Sequence, residues 1–259
     1  MLKKRIIPKL LLRNGRNVKG VKFTELRDTG SPVTNARIYD AQGADELIFL
    51  DIEASGANRK ILYDTITKTA SEVFMPFCVG GGIRTVDDVR QLLLAGADKI
   101  SVNTQAVERP DLVSEGAALF GVQCMVVSID FKRHGPACKV YTHGGTVATE
   151  LDVLDHAQQS VARGAGEILL TSIDRDGTMQ GYDLEITKRV ADAVDVPVIA
   201  SGGAGTLQHL CDVIADAHAS AVAVGSLFHF TDQSPIKARA FMHVRGIDVR
   251  SERTGTTAI

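Results

Sequence analysis

The chain has 259 residues, of which 44% are hydrophobic and 23% charged, and its formal net charge is -2. This length is close to the roughly 250 residues of one (β/α)8 barrel. The charge balance gives no positive field for nucleic acid, and no apolar run approaches the roughly 18 residues that span a bilayer, so we expect neither nucleic acid nor a membrane as partner.

The cysteines give no sign of a metal site or a disulfide framework. They lie at Cys78, Cys124, Cys138 and Cys211, without a C-x-x-C pair and without clustered histidines nearby. This usage fits a reducing compartment, so a soluble, cytoplasmic protein that binds small molecules is expected.

From the N-terminus onward, short apolar runs alternate with longer amphipathic segments, which is typical of βα units that build a parallel sheet. The basic start is interrupted by Pro8 and Lys9, and it indicates a first strand instead of a signal peptide. The eight predicted strands are Ile6–Leu11, Glu46–Ile52, Pro76–Gly80, Lys99–Asn103, Gln123–Asp130, Glu167–Ser172, Pro197–Ser201 and Ser220–Gly225. Residues 85–95 and 183–194 show helical spacing of apolar residues. The pattern predicts an α/β fold, a (β/α)8 (TIM) barrel over 1–245, followed by a disordered tail over 246–259.

Two segments of the chain repeat at a constant distance. GADELIFLDI at 43–52 resembles GAGEILLTSI at 164–173, and PFCVGGGIRT at 76–85 resembles PVIASGGAGT at 197–206, both 121 residues further on. SVNT at 101–104 aligns with VAVG at 222–225 in the same register without a gap. The repeats predict a duplication in which each half-barrel contributes four βα units.

Glycine-rich loops follow two predicted strands, Gly80-Gly81-Gly82 after the third and Ser201-Gly202-Gly203 after the seventh. Glycine allows the backbone to approach an anion closely, and the N–H groups of the next helix add donors. The neighbouring strand ends, Asn103-Thr104 and Gly225-Ser226, add hydroxyl and amide donors. These glycines could simply permit tight turns, but two equivalent loops favour two phosphate sites and a substrate with a phosphate at each end.

Specific motifs carry a family resemblance. RIIPKLLLRNGRNVKGVKF, DELIFLDI, VGGGIRTVDDVRQLLLAGADKISVNT, EILLTSIDRDGTMQGYD and PVIASGGAG resemble HisF, the cyclase subunit of imidazole glycerol phosphate synthase, over residues 1–230. The resemblance implies a barrel of the ribulose-phosphate-binding type that accepts ammonia from a HisH-like glutaminase. It implies closure of an imidazole ring on a phosphorylated small-molecule substrate, with no cofactor and no metal.

The resemblance assigns roles at the carboxyl ends of the strands. Asp130 matches one of the two acid/base carboxylates of the family. Positions expected to contact the substrate or its phosphates are Lys19, Asp51, Gly82, Asn103, Thr104, Thr171, Asp176, Gly177, Gly203, Gly225 and Ser226.

At the opposite ends of the strands, the resemblance implies a gate for ammonia. Its members are Arg5, Glu46, Lys99 and Glu167, and Asp98 matches a position at the glutaminase interface. The four gate charges could instead cap the barrel as an ion-pair network, but the presence of the whole set favours the gate.

One position departs from the family pattern. Leu11 stands where the family carries its other catalytic carboxylate. Ring closure requires proton transfer at two places, and loss of one general acid or base costs about 10²–10⁴ in rate. Lys9 is expected on the same strand face as Leu11 but deeper in the barrel, so it is not an obvious replacement.

The Leu-Leu-Leu run after Pro8 is also similar to HisF paralogues associated with surface-polysaccharide biosynthesis, which work with a HisH-like glutaminase and an amidotransferase on a sugar acceptor. This interpretation is preferred because ammonia transfer can continue without cyclisation. The alternatives are a histidine-pathway cyclase, the related isomerase HisA, and a non-catalytic barrel that activates a glutaminase and conducts ammonia. The gate residues argue against the isomerase, which has no use for ammonia.

Overall fold

The computed structural model of the chain describes residues 3–53, 59–135 and 137–250. The strands are β1 (Arg5–Arg13), β2 (Arg16–Val21), β3 (Thr24–Gly30), β4 (Leu47–Asp51), β5 (Phe77–Gly80), β6 (Lys99–Val102), β7 (Met125–His134), β8 (Ala137–Thr142), β9 (Val147–Asp152), β10 (Glu167–Ser172), β11 (Val198–Ser201) and β12 (Ala221–Val224). The helices are α1 (Pro32–Ala41), α2 (Arg59–Ala70), α3 (Val86–Leu94), α4 (Thr104–Glu108), α5 (Asp111–Phe120), α6 (Val153–Ala162), α7 (Leu184–Ala191), α8 (Leu207–Ala215), α9 (Ser226–Phe230) and α10 (Pro235–Val244), with a 3-10 turn at Val122–Cys124.

Eight parallel strands close into a barrel in the order β1, β4, β5, β6, β7, β10, β11, β12. Closure is made by β1, which pairs with both β4 and β12, and by the pairing of β7 with β10. The predicted (β/α)8 barrel is therefore confirmed. Below, "top" denotes the carboxyl ends of these strands and "bottom" their amino ends.

Strand alternation separates two apolar cores. One lies between the strands and the surrounding helices, and it contains large buried side chains such as Phe49 and Ile66. The other fills the barrel and is formed by Ile7, Ile48, Cys78, Val126, Leu169, Ile199, Ala221 and Ala223. Each fully buried Ile or Leu stabilises the fold by about 1.5–3 kcal/mol, so both layers contribute to holding the strand ends in place.

The duplication is visible in helix capping. Helix α3 begins after Thr85, whose hydroxyl accepts from the Asp88 N–H at 3.1 Å, and α8 begins after Thr206, whose hydroxyl accepts from the His209 N–H at 3.3 Å. The two helices are nine residues long and start 121 residues apart. Equivalent caps therefore fix equivalent helices after the two glycine loops.

The gapless alignment was wrong in its last segment. Strands β6 and β12 are related by a shift of 122 residues, and so are the caps Asn103 (φ -114, ψ -84) and Gly225 (φ -112, ψ -86). The additional residue lies in the turn before β12, where His218 takes the left-handed conformation at φ 58. Asn103 thus corresponds to Gly225, and Thr104 to Ser226.

Two antiparallel hairpins extend from the top of the barrel. Strands β2 and β3 form the first after β1, and β8 and β9 form the second after β7. In the first, Asn14 (φ 50) and Gly15 (φ 71) make the two-residue turn between the paired Arg13 and Arg16. The long segment after the first strand is therefore ordered as a hairpin that folds over the top.

The first part of the predicted tail, up to Arg250, is attached to the barrel. Lys4 and Val249 form a parallel bridge, the Lys4 N–H donates to the Asp248 carbonyl at 2.8 Å, and Arg239 donates to the Arg250 carbonyl. The barrel domain therefore extends to residue 250 and not only to 245. The rest of that prediction, 251–259, lies outside the described residues. Within the described part of the chain, no helix has the length and apolar character needed to cross a membrane.

Candidate functional site

Asp130 lies at the top of β7 with its carboxylate directed toward the centre of the barrel. The Asn103 amide donates to Asp130 Oδ2 at 3.1 Å. Burial raises the pKa of Asp130 to about 6, against the opposing attraction of Lys9 and with a further upward contribution from Asp176. A carboxyl group with this pKa exchanges a proton near neutral pH, which suits a general acid or base.

Lys9 reaches the same top layer from β1. Its side chain is almost completely buried, Nζ donates to Ser201 Oγ at 2.7 Å, and Asp176 Oδ2 lies 3.9 Å away. The Lys9 Cα is deep in the barrel, beside Ile48, as expected. The side chain extends upward from there, and its amino group reaches the level of Ser201.

Lys19 closes the site from above. It lies on β2 and forms an ion pair with Asp176, and both side chains are buried. Gly177, at φ 74, follows Asp176, and a Cβ there would come within 2.3 Å of the Gly20 carbonyl. The first hairpin therefore packs directly on the loop after β10, and only glycine at 177 permits that approach.

The second predicted phosphate loop contains a glycine that no other residue could replace without a clash. Gly203 adopts φ 115, and a Cβ there would lie 2.1 Å from the Gly181 carbonyl. Gly225 precedes α9 and lies against the Lys19 side chain, since a Cβ at 225 would be 3.0 Å from Lys19 Cε. Ser226 Oγ is buried and has no hydrogen-bond partner among the described residues. Gly225 therefore lies against the Lys19 side chain, and the hydroxyl of the next residue is free to bind a ligand.

The first phosphate loop is arranged differently. Gly82 adopts φ 63, but the Asn103 amide is engaged with Asp130 and the Ser128 carbonyl. The Thr104 hydroxyl accepts from the His143 N–H at 3.0 Å. The second hairpin therefore contacts this loop through His143, a residue that the sequence did not indicate.

Two predicted contact residues line the site less directly. Asp51 ends β4, where its Oδ1 accepts from the Glu53 N–H at 3.0 Å. Strand alternation puts Leu50 in the barrel and the Asp51 side chain on the other face. Thr171 is fully buried on β10, directly beside Asp130 in the sheet register.

At the bottom, the four predicted gate residues form a closed ring of ion pairs. Arg5 contacts Glu46 at 2.6 Å and Glu167 at 3.0 Å, and Lys99 contacts the same two carboxylates at 3.0 and 2.9 Å. Burial disfavours the Arg5 cation, but Glu167 and Glu46 outweigh it and raise the pKa of Arg5. Lys99 is the most exposed of the four, with 17% of its side chain accessible.

Asp98, the predicted interface residue, also has an internal role. Its Oδ2 accepts from the Phe77 N–H at 2.9 Å. Large apolar side chains are exposed in the segments that precede neighbouring strands, with Phe74 at 90%, Leu94 at the end of α3 at 74% and Val122 in the 3-10 turn at 53%. These three residues are called the apolar bottom patch, since each precedes a strand of the barrel, and exposed apolar side chains commonly form part of a protein interface.

Sequence reasoning gave no functional role to three side chains at the top of the barrel. Lys9 and Ser201 are hydrogen-bonded to each other, and the buried Asn17 amide has neither of its polar atoms paired within the described ranges. The alignment of Ser201 with Gly80 could have indicated a side chain added at the centre of the second half. No comparable signal marks Asn17.

Comparison with known families supplies an independent finding. A family model described as "Histidine biosynthesis protein" matches residues 5–234, and so it spans both halves of the barrel, the charged ring and the two glycine loops.

Proposed function

The chain belongs to the histidine biosynthesis protein family, and from this premise we propose that it is a HisF-like synthase subunit that accepts ammonia from a HisH-like glutaminase. The ring of four charges at the bottom of the barrel carries the proposal, because it closes the end opposite to Asp130. The further part of the proposal is that the ammonia reaches a phosphorylated acceptor at the top.

The barrel interior supports transfer of a neutral molecule. One layer of apolar side chains, including Ile7, Val126 and Leu169, separates the ring from Lys9 and Asp130. Such a layer opposes passage of ammonium, because burying an unpaired charge is costly, but it opposes ammonia much less. The more exposed Lys99 is the member of the ring best placed to move aside.

The acceptor is proposed to carry phosphate. Support comes from the second cradle, where Gly225 lies against the Lys19 side chain and Gly203 leaves no room for a side chain. Within the described residues, the buried hydroxyl of the adjoining Ser226 has no hydrogen-bond partner. The related loop at Gly82 provides a second candidate cradle on the other half of the barrel.

Leu11 favours a sugar over the imidazole precursor as acceptor. It is 6% exposed and occupies the half-barrel counterpart of Asp130, so one of the two proton-transfer groups is replaced by a hydrocarbon. We therefore propose amidation of a sugar for surface-polysaccharide biosynthesis, in which ammonia transfer continues without ring closure.

A histidine-pathway cyclase is the second candidate. The raised pKa of Asp130, about 6, favours it, since this carboxyl can still serve one of the two proton transfers. The amino group of Lys9 also lies at the top of the barrel and could supply a second titratable group.

The glutaminase is proposed to dock on the bottom of the barrel. Asp98 and the apolar bottom patch of Phe74, Leu94 and Val122 adjoin the entrance. A partner that covered the patch would also cover the ring, so released ammonia would enter without mixing with solvent.

The docking is tested by measuring glutamine hydrolysis by a HisH-type glutaminase with and without this chain. We expect a stable complex and faster hydrolysis. Phe74→Asp and Asp98→Arg should each weaken the complex by about tenfold or more, equivalent to about 1.4 kcal/mol. Phe74→Asp is the cleaner variant because its side chain is exposed, and Glu150→Arg, on the top hairpin and 91% exposed, is the matched control. Absence of any complex at micromolar concentration would overturn the proposal.

A further inference from the structure

The amino group of Lys9 lies at the start of the second glycine loop. It is held at 2.7 Å by Ser201 Oγ at the top of β11, and the Gly202-Gly203 turn of the second cradle follows Ser201 directly. Asp176 and Asp130 are its acidic neighbours. A compound whose phosphate occupied that cradle would therefore present its nearby carbons to Lys9.

The surroundings of Lys9 favour the uncharged amine. Burial lowers the pKa of Lys9, and the nearby Lys19 cation lowers it further, although Asp176 and Asp130 act in the opposite direction. A buried lysine beside a second cation is the arrangement that activates an amine as a nucleophile toward carbonyl carbon. The ion pair between Lys19 and Asp176 leaves that carboxylate shared between two cations.

We propose that Lys9 forms an imine with the carbonyl group of a phosphorylated sugar bound at this site. The neutral amine adds to the carbonyl carbon to give a carbinolamine, and the carbinolamine hydroxyl then leaves as water after it receives a proton. Asp130 is positioned to supply that proton, because a carboxyl group with a pKa of about 6 is partly protonated near neutral pH.

Ammonia completes the sequence, and this step rests on the proposed function. Ammonia adds to the imine carbon, the Lys9 nitrogen leaves as the free amine, and the sugar departs with a C=NH group. No oxidant or reductant is consumed. The acceptor is thereby specified as a ketose or aldose phosphate. These steps use Lys9 and Asp130, and they require no carboxylate at position 11.

The imine is tested by trapping with sodium borohydride. The purified chain is incubated with ribulose 1,5-bisphosphate, which carries a ketone between two phosphates, and reduced until labelling no longer increases, since the first hairpin covers Lys9. We expect each labelled chain to gain the mass of the sugar less one oxygen atom, with the modification on the peptide containing Lys9. Phosphate-free ribulose should label it far less.

Two variants locate the reaction. Lys9→Arg keeps the positive charge beside Ser201 and should abolish labelling, whereas Lys19→Arg should leave Lys9 as the labelled residue. Absence of an adduct in the folded wild-type chain, or an adduct confined to Lys19 or to surface lysines, would overturn the proposal. If Lys9 only forms a structural ion pair, the wild-type chain should give no adduct at Lys9.

The release step has its own readout. Increasing ammonium chloride should reduce the amount of trapped adduct, and potassium chloride at the same ionic strength should not; an equal effect of both salts would contradict release by ammonia. Trapping requires no glutaminase. An adduct without a glutaminase complex would therefore contradict the proposed partner and support the Lys9 imine. A complex without an adduct would support the partner and contradict the imine.

Discussion

Leu11 and Asp130 occupy equivalent positions in the two halves of the barrel. Leu11 lies beside Leu50 in the sheet register, and Asp130 lies beside Thr171, which is 121 residues after Leu50. The top of the barrel thus has a carboxylate on one side and a hydrocarbon on the other. The amino group of Lys9 lies in the same layer, so the site combines one carboxyl group with one amine.

Asp130 should make folding stability depend on pH. Its pKa is about 6 in the folded chain against an ordinary value of 3.8, so the stabilising effect of its proton is complete below about pH 4 and is lost as the pH rises through 6. Asp130→Asn should therefore raise the unfolding free energy by about 3 kcal/mol at pH 8 and change it little at pH 4. Urea unfolding at both pH values checks this, and an equal effect at the two would contradict it.

The charged ring should be sensitive to loss of a central carboxylate. Glu46 contacts both Arg5 and Lys99 and is nearly inaccessible, so Glu46→Ala should cost about 3–5 kcal/mol of unfolding free energy. Lys139→Ala removes one partner of the exposed pair with Glu150 and should change stability by about 0.5 kcal/mol or less. Similar losses in the two variants, measured by urea unfolding, would show that the ring is not coupled as described.

The barrel itself was predictable from sequence, because eight apolar runs separated by helical segments have few other ways to bury both faces of a parallel sheet. The predicted strand Glu167–Ser172 agrees with β10 at both ends. The first hairpin was missed although Asn14-Gly15 is a strong turn signal, since the run Leu10-Leu11-Leu12 before the turn lacks an alternating apolar pattern.

The site was predictable only in part. Alternation correctly placed Lys9 on the inner face of β1, but it gives the position of a Cα and not the reach of a long side chain, which here spans about two residues of strand rise. The gapless duplication failed before β12 because one extra residue around His218 is accommodated in a turn. Apolar periodicity does not register such an insertion.

Gly203 should tolerate a side chain less well than Gly43. Both have positive φ, but a Cβ at 203 would lie 2.1 Å from the Gly181 carbonyl, whereas a Cβ at 43 has nothing within 4 Å. Gly43→Ala should cost about 1–2 kcal/mol through backbone strain alone. Gly203→Ala should cost more and should also weaken binding of inorganic phosphate. Thermal unfolding with and without phosphate measures both effects, and equal behaviour of the two variants would argue against a cradle at Gly203.

Ser226 should separate stability from ligand binding. Its buried hydroxyl has no partner in the described part of the chain, so Ser226→Ala should leave stability unchanged or slightly higher while weakening phosphate binding by about 0.5–1.5 kcal/mol. Ser234→Ala, which removes the cap of α10, should cost about 1 kcal/mol of stability and leave phosphate binding intact. Calorimetric titration with phosphate would contradict the assignment if Ser226→Ala bound as tightly as the wild type.

The most direct test of the incomplete acid/base pair is imidazole glycerol phosphate formation from the HisF bisphosphate substrate, with ammonium salt as nitrogen donor and no glutaminase. Under the proposed HisF-like function, Leu11 replaces one proton-transfer group, and we expect turnover about 10²–10⁴ below that of a HisF enzyme measured in parallel. Leu11→Asp should increase it. Wild-type turnover equal to that of the HisF enzyme would contradict the claim that cyclisation is impaired.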